Sequence, residues 1–344
     1  MRLLPLIFLV APAAAAQPLS LRTQGPLREL FLDMPLFDAR PLAVPELDVR
    51  WSMANSWNEP MVVRRGADTA FHELDVQTDS ISLRLRMPWR QRFWTAVEWR
   101  VSAHWGGWSD GPIEAWHDLT GAFNYERAAF PRDRVRLRLG DDHATAFDIQ
   151  RGTAAFGDLA VRSQATLLET AHLAVAARLD LKLPFGSLPR ATGSGGFDAG
   201  AGIAASWQIG AHVAVHGMLS LRRISDLASE MLLQPKPWQW AADASLELSF
   251  GRWAFLIEDR FASPLFLPGW ERVESGSDDA YLASGFAATF RPHNQISFGL
   301  RGGRLSVWLS EDFTPGSNPR STLTGVYVSN APDVVIGAAW TQPL

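Results

Sequence analysis

Apolar and polar residues alternate with period two along most of the chain. Leu47, Val49, Trp51 and Met53 are set against Asp48, Arg50, Ser52 and Ala54, and Ile81, Leu83, Leu85 and Met87 against Ser80, Ser82, Arg84 and Arg86. Successive side chains on a strand point to opposite faces, so each segment carries one apolar and one polar face. The pattern predicts strands at about 47–57, 76–87, 93–105, 158–168, 173–183, 199–207, 213–221, 238–250, 253–257, 282–290, 296–309 and 334–340. Tight turns are predicted at 88–91, 169–171, 209–210, 251–252 and 291–294, and a phase slip between Leu300 and Leu305 predicts a β-bulge at Gly302 and Gly303. An even count of about twelve strands, joined by five short turns and about six long loops, predicts an all-β fold: a closed, antiparallel, up-and-down transmembrane β-barrel. Val135, Leu137 and Leu139 with 144–149 read either as two further wall strands or as an extracellular hairpin.

No stretch supplies about 18 consecutive apolar residues, which excludes a helical membrane protein although 47% of the residues are hydrophobic. A soluble β-sandwich would alternate too, but it gives no reason for strands of this length or for 15 tryptophans. Trp89, Phe93, Trp94, Trp207, Phe250, Trp253, Phe290 and Trp340 all fall near the predicted turns, as an interfacial aromatic girdle does. At the start, Arg2, the apolar run Leu3 to Val10, and Ala14 and Ala16 before Gln17 predict a secretory leader. The expected division is a signal peptide at 1–16, a periplasmic lead-in or lumen plug at 17–46, and the barrel at 47–344. The expected location is the outer membrane of a Gram-negative bacterium, with both termini periplasmic.

Composition narrows the chemistry. The chain has no cysteine, which removes thiol catalysis and cysteine metal sites. Its 32 basic residues, all arginine except Lys182 and Lys236, are dispersed, so nucleic acid is not an expected partner. His212 and His216 resemble a helical metal motif, but on a strand their Cα atoms lie about 13 Å apart, too far for one ion. They fall, with His104, on the polar face, and neither a metal nor a cofactor is expected. The expected partners are outer-membrane lipid and lipopolysaccharide, the barrel-assembly machinery during insertion, and a small solute.

The candidate functional residues lie on the polar row: Arg50, Arg84, Arg86, Glu98, Arg100, Arg178, Asp180, Lys182, Asp243, Glu247, Glu258 and Arg260, accompanied by Asp48, Arg162, Arg222 and Arg301. Such charges either pair across the wall and fill a narrow lumen, or line a constriction whose field selects small anions or zwitterions. In the stretch 106–124, Asp110 stands as a helix N-cap, Pro112 in the first turn, and Ile113, Trp116 and Leu119 at helical spacing, which predicts a short helix in a long extracellular loop. That helix either packs on the rim or forms a lid gripping a ligand through Glu114, Trp116 and His117. Leu27, Leu30, Phe31 and Leu36 give the N-terminal segment the apolar content for either a plug or an ordered lead-in.

Several blocks resemble an uncharacterised bacterial family catalogued as domain of unknown function 3187. They are Gly25-Pro26-Leu27, Asp110-Gly111-Pro112-Ile113-Glu114-Ala115-Trp116-His117, Phe156-Gly157-Asp158-Leu159, Leu181-Lys182-Leu183-Pro184, Gly195-Gly196-Phe197-Asp198, Ser310-Glu311-Asp312 and Ala331-Pro332-Asp333. The chain departs from that pattern at 313–330, which reads as an insertion, and after His117, where a Gly-Leu-Pro-Asn run is missing. The resemblance implies an outer-membrane barrel and no known reaction or cargo.

Three functions fit. A passive channel or transporter for a small solute leads, followed by a non-conducting barrel that binds envelope or surface partners through its loops. The third, an outer-membrane lipid hydrolase, needs Ser and His together on the outward face, where Ser163 and Ser284 have no histidine in the same strand. The protein is therefore not expected to be an enzyme.

Overall fold

The computed structural model describes residues 17–120, 130–266, 271–272, 293–313 and 334–344. Its elements are β1 (Glu46–Arg65), β2 (Asp68–Arg90), β3 (Phe93–Trp105), α1 (Asp110–Thr120), β4 (Arg136–Asp141), β5 (Thr145–Ile149), β6 (Thr153–Phe156), β7 (Leu159–Glu169), β8 (Leu173–Leu183), β9 (Asp198–Ile209), β10 (Val213–Arg223), β11 (Trp238–Phe250), β12 (Trp253–Ala262), β13 (Glu271–Arg272), β14 (His293–Gly302), β15 (Leu305–Phe313) and β16 (Val334–Pro343). Twelve of them form the ring β1-β2-β3-β7-β8-β9-β10-β11-β12-β14-β15-β16, every neighbour antiparallel. The ring closes where β16 pairs with β1, in register from Glu46 opposite Pro343 to Asn55 opposite Val334. Closure leaves no unpaired edge in the hydrocarbon, the condition a spanning sheet must meet.

Burial is inverted relative to a soluble protein. Arg84, Arg162 and Asp180 are 0–1% exposed, whereas Leu219 is 69% and Leu83 53% exposed. The alternation is strict in β12, where Trp253, Phe255, Ile257 and Phe261 face out and Ala254, Leu256, Glu258 and Arg260 face in. An apolar exterior around a charged interior is stable only with lipid as the outer solvent.

The strand count of twelve holds, but the strands are placed differently from the sequence reading in two regions. Gly303 has φ +62° and forms, with Arg304, the tight turn between β14 and β15, so the phase slip is a hairpin and not a bulge. The period-two pattern shows a one-residue slip in either case, and only pairing distinguishes them. The wall strand after β12 is thus β14; the predicted strand at 282–290 lies outside the described residues. β1 runs on past Trp57 to Arg65 and turns at Gly66 into β2, so a projecting hairpin replaces the predicted loop. Residues 136–149 add no wall strand. They form the hairpin β4–β5, paired with the extension of β2 from Ala70 to Asp75.

Candidate functional site

A ring of twelve strands encloses more space than its own side chains fill, since about eight strands is the size at which they suffice. The chain's own residues 17–45 occupy that space. The segment rises from the turn end of the barrel, reverses at the 3-10 turn Arg28–Leu30, and descends to the start of β1. On the rising leg the Gln17 amide donates to Glu247 Oε2 at 2.9 Å, the Leu19 amide to the Glu258 carboxylate, and Arg22 pairs with Glu98 at 3.1 Å. Near the reversal Ser52 donates to Gln24 at 2.8 Å, Arg28 to the Ser263 carbonyl at 3.0 Å, and Arg100 pairs with Glu29 at 3.0 Å.

The descending leg is gripped mainly through its main chain. Arg222 donates to the Leu32 carbonyl at 3.0 Å, Arg162 to that of Asp33 at 2.7 Å, Arg260 to that of Met34 at 3.0 Å, and Arg178 to that of Pro35. Lower down, Gln164 donates to the Asp38 carbonyl and Thr166 to that of Ala39, both at 2.8 Å, and Ser206 accepts from the Ala39 amide at 2.9 Å. The wall also leaves room for both legs. A Cβ on Gly200 would lie 2.5 Å from Met34 Sδ, and one on Gly299 would lie 2.5 Å from Leu19, so these two wall positions seat plug side chains only as glycine.

Electrostatically the centre is Asp33. Its carboxylate is held by Arg222 at 2.9 Å and Arg260 at 2.7 Å, and it accepts from the Thr23 amide at 2.9 Å, tying the two legs together. Burial alone would raise this carboxyl, but Arg260 and Arg222, helped by Arg22 and the Thr23 amide, hold it down at about 2. Glu29 goes the other way, since burial outweighs Arg100 and Arg22 and raises it. Phe37 sits among guanidinium groups, with Arg178 4.6 Å, Arg84 4.7 Å and Arg86 5.5 Å from its ring centroid, and Trp94 edge-on at 5.5 Å.

All of the candidate lumen residues Arg50, Arg84, Arg86, Glu98, Arg100, Arg178, Asp180, Lys182, Asp243, Glu247, Glu258 and Arg260 lie on the inward row. They pair across the wall as well as with the plug. A continuous chain runs Asp48, Arg84, Glu98, Arg162, Asp180 and Arg178, with contacts of 3.2, 2.7, 3.1, 2.6 and 2.7 Å. Lys182 joins Asp158 at 2.6 Å and Asp198 at 3.5 Å, Arg86 joins Glu46, and Arg301 joins Glu247. Unpaired charges would be prohibitive in this interior, and pairing removes most of that cost. Some bonding capacity is still unused: among the described residues Arg84 Nη2, Arg162 Nη2, Arg178 Nε, Arg222 Nε and Asp243 Oδ2 are buried without a hydrogen-bond partner.

Two sequence placements change. Trp94 is not part of the girdle: it is 1% exposed and packs inside on Phe37, whereas Trp89, Phe93, Trp207, Phe250, Trp253 and Trp340 are exposed at the turn end. Phe290 lies outside the described residues. His216 faces the lumen and bonds Ser206 at 2.8 Å, and His104 is buried against Thr78 at 2.9 Å, but His212 sits in the turn before β10, exposed and stacked on Phe250. Sequence reading passed over Asp33, Phe37 and Glu29. The one signal was an acid embedded in the apolar run Leu30-Phe31-Leu32-Asp33-Met34. The carbonyls that do most of the binding leave no signal in a sequence.

The loop end is filled differently, by an apolar cluster. Leu27, Leu30 and Phe31 of the plug's reversal pack with Leu74 and Val76 of β2, Leu137 and Leu139 of β4, Phe147 of β5, and Leu227, Met231, Leu233, Leu265 and Phe266 of the loops. Asp141 pins this assembly by accepting from the amides of His143, Ala144, Leu232 and Leu233. α1 is rooted beside the barrel: Asn55 donates to Ser109 at 2.8 Å and Asp110 at 2.9 Å, and Ser109 donates to Gln77 at 3.0 Å. Asn55 and Gln77 belong to the outward rows of β1 and β2, and the row that is exposed at Trp51 becomes buried at Met53, Asn55 and Trp57. Glu114 is buried and paired with Arg132; the side chains of Trp116 and His117 lie outside the described residues. The pockets left in the lumen, around Asp243 and Glu258 or around Arg50 and Arg100, admit no more than a water or two.

A family model described as "Protein of unknown function (DUF3187)" matches residues 3–271. Among proteins of curated function, none matches the sequence. Among solved structures, the COG4313 outer membrane channel from Pseudomonas putida F1 is similar, with a TM-score of 0.50 and 12% identity over 89% of this chain and 98% of that one. A Pseudomonas aeruginosa FadL homologue (TM-score 0.35, 6% identity, 87% and 88% covered) and the P. putida toluene transporter TodX (TM-score 0.38, 7% identity, 88% and 91% covered) are more distant. The fold is that of an outer-membrane β-barrel.

Proposed function

The chain belongs to the DUF3187 family, and we propose that it is a passive outer-membrane channel for small solutes, closed at rest by its own segment Gln17–Pro45. One observation carries this reading. Through its middle the lumen face is polar and charged, and there it holds the segment through replaceable hydrogen bonds to carbonyls and ion pairs to Asp33 and Glu29, with apolar contact at a few seats and in the loop-end cluster. A barrel that needed only to be solid would gain more from apolar packing than from paired buried charge. The similar P. putida F1 protein is an outer membrane channel, which fits.

In this reading Met1–Ala16 is a leader removed before Gln17, the barrel-assembly machinery inserts the chain, turns and termini face the periplasm, and the long loops face lipopolysaccharide. The protein acts as a conduit and not as a hydrolase. Outward Ser163 donates its hydroxyl to the Leu179 carbonyl at 2.9 Å instead of to a histidine. Single-channel recording in planar bilayers tests the proposal. Full-length protein is expected to be silent or to open rarely, and a variant lacking Gln17–Pro45 to give stable steps, provided it shows the heat-modifiable gel migration of a folded barrel. A folded, silent truncation would overturn it.

A further inference from the structure

The descending leg of the plug is bound as a peptide ligand would be. Four consecutive carbonyls, from Leu32 to Pro35, each accept from an arginine on a different wall strand: Arg222 on β10, Arg162 on β7, Arg260 on β12 and Arg178 on β8. The Leu32 amide donates to Asp198 at 2.8 Å, and Gln164, Thr166 and Ser206 continue the main-chain contacts at Asp38 and Ala39. Contacts to carbonyls are indifferent to side-chain identity, whereas two subsites are selective. Arg222 and Arg260 take a carboxylate where Asp33 lies, and the guanidinium groups of Arg84, Arg86 and Arg178 face an aromatic ring where Phe37 lies.

We infer that the lumen is a binding path for short, extended, acidic peptides, with the plug's own Leu32–Ala39 stretch acting as a tethered occupant that cargo displaces. Its transport role rests on the channel reading; its binding does not. When the plug withdraws, Arg222 loses the Asp33 carboxylate and Arg260 keeps only Asp243 at 3.3 Å, and an incoming carboxylate restores the pairing that their burial favours. A free aromatic acid is too short to fill both selective subsites, which lie four extended residues apart, and it leaves the groups that donate to the carbonyls without acceptors. The tether gives the plug an effective concentration in the range of millimolar, so a free peptide competes poorly until the plug is weakened.

The test is fluorescence anisotropy with a labelled peptide copying Phe31–Ala39, titrated with full-length protein in detergent. Wild type is expected to bind weakly, and full-length Asp33→Ala, whose plug has lost its anchor, at least tenfold tighter. A peptide copy carrying Asn in place of Asp33 is expected to bind about tenfold more weakly to that variant. Absence of saturable binding to both the Asp33→Ala protein and the Gln17–Pro45 deletion, each shown to be a folded barrel by gel migration, overturns the inference. So does equal binding of the Asn copy, or displacement of the peptide by benzoate as effectively as by unlabelled peptide. If the truncation conducts and the peptide fails to bind, only this inference falls; if it binds saturably to a barrel that never conducts, the channel reading falls and the peptide site stands.

Discussion

The middle of the barrel and its loop end are closed by opposite chemistry. In the middle, Asp33 and the carbonyls around it meet Arg162, Arg178, Arg222 and Arg260. At the loop end, Leu27, Leu30 and Phe31 meet Leu137, Leu139, Phe147 and Met231 in an apolar cluster. The polar contacts are individually strong in a low-dielectric interior, yet any ligand with the same groups can replace them. The apolar cluster gains from excluding water and is indifferent to what carboxylates do below it. The middle therefore sets which solute competes with the plug, and the loop end sets how often the plug lets go.

The sharpest break of this comparison is to weld the plug to the wall below the loop end. The protein has no cysteine of its own, and a Cβ on Gly299 would lie 3.1 Å from Leu19 Cγ, so Leu19→Cys with Gly299→Cys is expected to form a single disulfide. Oxidised channels should stay closed under conditions that open the wild type, and reductant should restore it; conductance in the presence of an intact disulfide would show that the plug is not the gate.

Next in size is Asp33→Ala, which takes the plug carboxylate from Arg222 and leaves Arg260 with Asp243 at 3.3 Å. Loss of one partner from a buried ion pair costs about 3–5 kcal/mol, so open probability should rise by two to three orders of magnitude, measured in bilayers. Leu137→Ala attacks the other region. It leaves a cavity in the cluster worth about 2–5 kcal/mol and should raise opening while leaving ion selectivity unchanged. A change in selectivity from Leu137→Ala would erase the division of labour between the two regions.

Acid tests the Asp33 anchor. The seated Asp33 carboxyl lies at about 2, below its ordinary value of 3.8. Its contribution to seating is therefore complete above about pH 5 and is lost as pH falls through that value toward 2, amounting to roughly 2 kcal/mol. Opening should increase over that window by more in wild type than in Asp33→Ala, where the shifted carboxyls of Glu29 and Asp141 remain. The smallest effect belongs to α1: Ile113→Ala should loosen the helix to protease and leave conductance unchanged, because the helix is rooted on the outer face of β1 and β2.

Legibility followed the same division. The inward placement of Arg84, Glu98, Arg178 and Asp180 could be read from parity alone, since a strand gives each residue only two directions. Which partner each one takes could not, because Arg162 reaches Glu98 across to β3 and Asp180 across to β8, and register is fixed by the closed ring. The same limit explains Gly302 and Gly303, where a hairpin turn and a bulge leave identical marks on the pattern.

What the sequence determined by itself was the membrane barrel, its period-two faces and the charged lining, because these follow from local alternation and composition. The tertiary structure decided that residues 17–45 turn back into the lumen, that Trp94 faces Phe37, and that Asp33 becomes the focus of the arginines. Those depend on a non-repeating segment finding carbonyl and carboxylate partners on strands far along the chain, an arrangement that exists only once the ring has closed around it.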